Sequence, residues 1–203
     1  MRNQKSESAR NAARKLKFMM KIVEKYKKEA IPQMMEKFGY KSIMAVPRLE
    51  KVVVNTGFGR QVVGKTNDEQ KKTADFIAGD LTLICGQKAV KTYAKKAISS
   101  FKIREGMALG AKVTLRGKRM QDFLERFINI VLPRTRDFRG IPQDSVDGQG
   151  NLTIAIKEHI AFPEILPEKA RNIFGLEITV ATNAKTKEEG LELFKLLGFP
   201  IKK

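Results

Sequence analysis

MALGAKVTLRGKRMQDFLERFINIVL, residues Met107 to Leu132, changes its apolar period once, and that change decides the fold class. In the first part Met107, Leu109, Ala111, Val113 and Leu115 are apolar, while Lys112, Thr114 and Arg116 point the other way. This is the period of two that a half-buried strand requires. After Lys118 the spacing becomes helical, with Met120, Phe123, Leu124, Phe127, Ile128 and Val131 on one stripe. A strand that runs directly into an amphipathic helix can be covered by it. The other strand face then presents the Thr114 hydroxyl between two cations, Lys112 and Arg116, a surface suited to phosphate and ribose.

Outward from this unit, the same periodicities predict the remaining elements. A helix runs through Ile22 to Ala30, with Pro32 expected to disturb it. Pro47 marks the entry to a first strand, Leu49 to Thr56. A second helix starts near Thr66, Asn67 and Asp68 and carries the stripe Ala74, Ile77, Ala78, Leu81 and Ile84. A second strand covers Gln87 to Tyr93. A basic segment, Ala94 to Gly106, then leads into the third strand, Met107 to Arg116. The helix after it, from Lys118, is expected to stop at Pro133. A connection rich in Arg, Gly and Asp spans Arg134 to Gly150. A fourth strand, Leu152 to Lys157, and a fifth, Leu176 to Thr182, each place their apolar residues on one face. The last helix opens with the capping box Thr186-Lys187-Glu188-Glu189 and ends at Gly198, with Pro200 just beyond. One-sided alternation of this kind predicts an α+β fold. Its five-stranded, largely antiparallel or mixed sheet has helices packed on one face and the other face open. An open sheet face is a platform for RNA.

The chain has 203 residues and a formal net charge of +18. That length fits a single domain over residues 22–203, preceded by a basic arm over 1–21. The arm carries Arg2, Lys5, Arg10, Arg14, Lys15, Lys17 and Lys21 against Glu7 alone, and could order on RNA. Residues 142–203 hold 8 Lys+Arg and 9 Asp+Glu, so residues 1–141 carry the whole basic excess. Such polarity implies a polyanionic partner, nucleic acid before an anionic membrane. The lone cysteine, Cys85, excludes an internal disulfide, and no zinc-ligand spacing exists. No apolar run approaches the ~18 residues of a membrane span. Arg2, Arg10, Arg14, Ser6 and Ser8 have the flavour of an organelle transit peptide, which Glu7 opposes, so a cytoplasmic location is expected.

GRQVVGKT, Gly59 to Thr66, matches the phosphate-loop pattern G-x-x-x-x-G-K-[ST] between a strand and a helix. On that pattern Lys65 would reach phosphates and Thr66 would hold magnesium. Three features oppose a nucleotidase: no strand ends in an Asp suited to magnesium, the strand–helix rhythm of a parallel sheet is missing, and Gly, Lys and Thr are ordinary loop residues. His159, the only histidine, stands in no recognisable catalytic motif and reads as a surface or packing residue. Asp144 and Asp147 lie in a Gly-rich turn without further acidic ligands at useful spacing. No catalytic residue, metal or cofactor is therefore expected. The segment Ala94–Gly106 instead interleaves Lys95, Lys96, Lys102 and Arg104, with Lys91 just before it, among Ile98, Phe101 and Ile103. That is the composition of a finger that touches a nucleic-acid backbone and packs an apolar side chain on ribose or base.

These residues lead to a family. The chain resembles bacterial-type large-subunit ribosomal protein five, the 5S rRNA-binding family. The matching segments are Tyr26-Lys27-Lys28-Glu29, SIMAVPRLEKVVVNTGFG (Ser42–Gly59), LTLICGQKAVKTYAKKAISSFKIREG (Leu81–Gly106), KVTLRGKRMQDFLERF (Lys112–Phe127), RDFRG (Arg136–Gly140), GNLTIAIKEHIAFPEI (Gly150–Ile165) and the closing GFPIKK. The resemblance departs at residues 1–19, which lie outside the family pattern. It departs again at Ala89, where the family has GQKP, and at Leu152 and Ala155, which replace an aromatic residue and a glycine. The GKT of the Gly64 loop falls where the family is variable.

The resemblance implies a non-enzymatic protein of the central protuberance, with 5S rRNA on the open sheet. Its implied partners are 5S rRNA, 23S-type rRNA, P-site tRNA, small-subunit ribosomal protein thirteen across the subunit bridge, and other central-protuberance ribosomal proteins. Carried over by position, it gives Asn55, Gly57, Gln87, Thr92, Lys112, Thr114 and Arg116 as the 5S rRNA-binding residues. Lys95, Lys96, Ser99, Phe101 and Arg104 become the tRNA-contacting loop. A phosphate-loop NTPase and a general RNA chaperone are the alternatives.

Overall fold

Five strands form where the sequence alternates: β1 (Leu49–Gly57), β2 (Val90–Tyr93), β3 (Ala108–Leu115), β4 (Leu152–Ile156) and β5 (Leu176–Thr182). In the computed structural model they make one sheet in the order β2–β3–β1–β5–β4, with every neighbouring pair antiparallel. The structure describes residues 22–136, 138–166, 168 and 172–202, so the expected arm at residues 1–21 lies outside the described residues.

The longer helices are α1 (residues 22–38), α3 (Asn67–Cys85), α4 (residues 117–134) and α5 (Lys187–Leu197), with a short α2 (Gly59–Val62) between β1 and α3. The register turns strand alternation into two faces. On one, Leu115, Val52, Val180 and Leu152 stand side by side, and the next row is Val113, Val54, Ile178 and Ile154. All but Ile154, on the edge strand, are buried. This face is covered by α3, which lies on β3, and α4, which lies on β1. α1 and α5 pack against one another in the outer layer. Phe123 of α4 stacks on Phe127 and on Phe162 at centroid distances of 6.0 and 6.1 Å. Cys85 is buried at the end of α3, and burial pushes its thiol up to about 12, consistent with a structural role.

Two helices run past prolines that the sequence marks as places of disturbance or ending. α1 consists of Ile22–Lys25, a π-helical turn Tyr26–Ala30 and Ile31–Phe38, with Pro32 near the start of the last segment. α4 consists of Gly117–Arg126, a π-helical turn Phe127–Val131 and Leu132–Arg134, with Pro133 inside. In both, the residue before proline donates its N–H five residues back, Ile31 to the Tyr26 carbonyl and Leu132 to that of Phe127. A widened turn changes which carbonyl faces the proline ring, and proline itself has no N–H to satisfy. The helical stripe therefore extends, and Val131 and Leu132 reach the core.

β2 is shorter than expected. Its ladder starts at Val90, and Gln87 lies in the turn between α3 and the strand. Gly86, in the left-handed conformation at φ 63°, closes α3 by donating to the Thr82 carbonyl. That ending frees the Gln87 side chain to reach β3.

Candidate nucleic-acid interface

The uncovered face of the sheet is a grid fixed by the same register. One row reads Thr114, Val53, Thr179 and Thr153. The next reads Val90, Lys112, Asn55, Glu177 and Ala155. Beyond it Thr92, Gly110 and Gly57 stand in line. Thr114, Lys112, Asn55 and Gly57 are exposed, so four of the residues expected to bind RNA share one accessible face. Thr92 lies in the same grid, half-buried.

Gly110 is what allows this corner to close. A Cβ there would stand 2.7 Å from the Thr92 hydroxyl and 2.8 Å from the Thr56 carbonyl oxygen. The second neighbour is backbone and cannot swing away. Nothing lies within 4 Å of a Cβ built on Gly57, so Gly57 leaves the face flat and open instead.

Arg116 and Gln87 meet the grid at its end. Arg116 is the extended residue that caps α4, and Gly117 at φ 57° makes the turn from strand to helix. The Gln87 amide donates to the Thr114 carbonyl at 3.1 Å and accepts from the Arg119 guanidinium at 3.3 Å. Gln87, Thr114, Arg116 and Arg119 are thereby gathered at one corner. Among the described residues, Lys112, Arg116 and Arg119 form no ion pair, so their charge is available to an outside anion.

The finger projects from the β2 end. The Ala94 N–H donates to the Met107 carbonyl, and Ile98 and Ile103 exchange both backbone bonds at 2.9 and 3.1 Å. A 3-10 turn over Ser99–Phe101 and a left-handed Lys102 at φ 54° form its tip. Lys95, Lys96, Ser99, Phe101 and Arg104 are all exposed, and Phe101 keeps 66% of its surface open. Lys91 does not belong with these cations. It lies opposite Ala111, on the helix side of the sheet, and is ion-paired with Asp75 of α3. Strand parity puts it there.

Glu177, Thr179 and Thr153 are members of the open face that the sequence reading did not single out. Their parity is readable in LEITVAT and LTIAI, where every second residue faces the core. The Thr153 and Thr179 hydroxyls lie 3.3 Å apart across the β4–β5 pair. Glu177 is the single acid in its row, beside Asn55. It keeps the basic strip confined to the β3 side.

The phosphate-loop pattern folds in another way. Its first residues form α2, and Thr66 caps α3. The Thr66 N–H and hydroxyl both donate to the Glu69 carboxylate, at 3.1 and 2.9 Å. These bonds hold that carboxyl below the usual range. A carboxylate thus stands where a phosphate would be bound, and Lys65 turns toward the Thr73 hydroxyl at 3.5 Å. β1 is antiparallel to both neighbours, which also differs from the parallel sheet of a nucleotide-binding fold. His159 is fully buried, stacked on Phe174 at 4.0 Å, and accepts from the Phe174 N–H, a packing role.

Known proteins repeat this arrangement of segments. Residues 42–104 match the family described as Ribosomal protein L5, and residues 108–201 match the description of that ribosomal family's C-terminus. Large ribosomal subunit protein uL5 from Halothermothrix orenii is 52% identical over 183 residues, 90% of this chain and 99% of that protein. Its counterpart in Syntrophomonas wolfei is 51% identical over 184 residues, 91% of this chain and all of that protein. The one in Kosmotoga olearia is 51% identical over 185 residues, 90% of this chain and 96% of that protein. With both halves of the family matched in order, and half of all residues shared along nearly the whole of these relatives, this chain belongs to the ribosomal protein L5 family.

Proposed function

We propose that this chain is a structural protein of the large ribosomal subunit whose open sheet face holds 5S rRNA in the central protuberance. The relatives are named as large-subunit proteins, which supports the assembly. One observation carries the RNA assignment: the helices cover one face of the sheet, and the bare face carries Asn55 and Thr114 beside Lys112 and Arg116, which form no ion pair among the described residues. Lys112 and Arg116 neutralise phosphates. Thr114 and Asn55 bond 2′-hydroxyls or base edges, and Gly57 lets an RNA backbone come close. Gln87 holds the corner in shape through Thr114 and Arg119. The finger reaches toward P-site tRNA with Lys95, Lys96, Ser99, Phe101 and Arg104. A bridge to small-subunit ribosomal protein thirteen, contacts with 23S-type rRNA and other central-protuberance proteins, and a cytoplasmic ribosome complete the reading. The role is non-enzymatic.

The test is a footprint and titration of the protein on 5S rRNA against arbitrary duplex RNA at several salt concentrations. With about five phosphate contacts, log affinity should fall with log salt at a slope of about −4. A slope near zero contradicts the electrostatic reading. Equal affinity for both RNAs at matched salt replaces it with a general RNA chaperone. Deleting Ala94–Gly106 should leave 5S rRNA binding in place and weaken tRNA contact; the reverse rejects the division of labour.

A further inference from the structure

Two polar atoms face one another inside the protein with nothing to bond them. The Asp80 Oδ2 of α3 and the His159 Nε2 lie 3.7 Å apart, and each is buried without a hydrogen-bond partner among the described residues. That separation is too long for a hydrogen bond and short enough for two charges to act on each other. The His159 side chain is fully buried, and that of Asp80 keeps 14% of its surface open. Neither residue has a part in the RNA reading above.

The other side of the ring holds the chain together. The His159 N–H donates to the Phe174 carbonyl at 3.0 Å, and the Phe174 N–H donates back to the His159 Nδ1 at 3.4 Å. The imidazole therefore stands in for a backbone carbonyl and completes a pair of bonds. Its ring also stacks on that of Phe174, with planes 12° apart. His159 follows β4 by three residues and Phe174 precedes β5 by two, so this pair closes the β4–β5 connection at its base. Because Nδ1 accepts, the proton of the neutral ring sits on Nε2 and points at the Asp80 carboxylate.

Among the described residues, Asp80 is the one ion-pair partner in reach of the ring. Lys157 and Glu158, just before His159, are exposed. Arg126 of α4 pairs with Glu164 at 3.1 Å and donates to the Ile84 carbonyl of α3. From β1, the neutral Thr56 hydroxyl holds the Gly175 carbonyl at 2.8 Å. A second proton on the ring has to enter at Nδ1, where the Phe174 N–H already points. Two donors would then face each other, and that bond is lost. Burial acts in the same direction by holding the pKa of the ring below its ordinary value. We propose that His159 is a proton-released clasp: the neutral ring ties the base of the β4–β5 connection together, protonation opens it while the sheet stays folded, and Asp80 sets how readily it takes the proton. The stacking of Phe162 on Phe123 and the Arg126–Glu164 pair remain, so the opening is confined to that base. A ring whose pKa is lowered in the closed state contributes fully above about pH 6.5 and loses that contribution as pH falls below it. Burial pushes the Asp80 carboxyl the other way, above its ordinary value, so its own protonation favours the closed state and does not produce this loss.

The experiment is NMR on the full chain between about pH 8 and pH 5, where the only histidine gives a single set of ring signals. At the upper end the ring nitrogen shifts should show the proton on Nε2. On acidification the exchange protection of the Phe174 amide should fall about tenfold or more, while that of Val54 and Val180 in the sheet holds. His159→Gln keeps an acceptor for the Phe174 N–H and cannot titrate, so its Phe174 protection should not depend on pH. Asp80→Asn removes the charge that favours a protonated ring, so the ring should titrate at lower pH than in the parent. The proposal is overturned by a proton on Nδ1 at the upper end, or by Phe174 protection that survives acidification. An equal loss of protection at Val54 and Val180, or an equal pH dependence in His159→Gln, overturns it as well. A ring in Asp80→Asn that titrates at or above the pH of the parent overturns the part given to Asp80. Should His159→Gln fail to fold, the ring shifts and the Phe174 protection of the parent still decide.

Discussion

β3 carries two surfaces on one backbone. Ala111, Val113 and Leu115 are buried under α3 and α4, and Lys112, Thr114 and Arg116, one residue along each time, are exposed. The first set is matched to neighbours across the sheet, Leu115 to Val52 and Val113 to Val54. The second also has neighbours across the sheet, Lys112 opposite Asn55 and Thr114 opposite Val53, but its two cations form no ion pair among the described residues, and the Gln87 amide holds the Thr114 carbonyl. The difference separates two kinds of cost. Inward residues should change folding free energy and leave the affinity of the folded molecule alone. Outward residues should do the opposite. A slip of one residue would exchange the sets, so the register is itself part of the binding site.

The largest effect should come from the inward set. Leu115→Ala removes a fully buried side chain between β1 and the helices. We expect a loss of about 2–5 kcal/mol in denaturant unfolding, with the RNA affinity of the folded fraction preserved. If the stability hardly changes, the tight packing assigned to this face is wrong. Gly110→Ala should follow at about 1–3 kcal/mol, because its new Cβ meets the Thr56 carbonyl oxygen at 2.8 Å. An unaltered melting temperature would mean that β1 and β3 separate more easily than the register implies. Lys112→Ala belongs to the outward set. It should reduce the salt slope of RNA binding by about 1, while stability moves by less than about 0.5 kcal/mol. A variant that unfolds more readily but binds with the same slope would reverse the assignment of that face. The smallest change in stability should be that of Gly57→Ala. Its Cβ finds open space, so unfolding should shift by less than about 0.5 kcal/mol, and any effect should appear in RNA binding.

Most of this contrast is legible in the sequence, because strand period and helix stripe are local signals. The change of period at Arg116 and Gly117 places β3 and α4, and parity alone puts Lys112 and Thr114 on the open side. What stays hidden depends on partners distant along the chain. Pro32 and Pro133 read as disturbances because a π-helical turn has no composition of its own. Lys91 reads as part of the basic finger until its pairing with Asp75 places it under α3. Gln87 comes from family resemblance, and only the fold gives it a physical task, 27 residues from Thr114. Glu177, Thr179 and Thr153 are a different case. Their parity is readable, but without strand order nothing connects them to Asn55 and Thr114.

The most direct test of the open face is the affinity of Arg116→Ala for 5S rRNA, measured beside its unfolding curve. The account predicts an unfolding curve close to that of the parent and binding weaker by about 1–3 kcal/mol, roughly five- to 150-fold. A folded variant that binds 5S rRNA as tightly as the parent would contradict it.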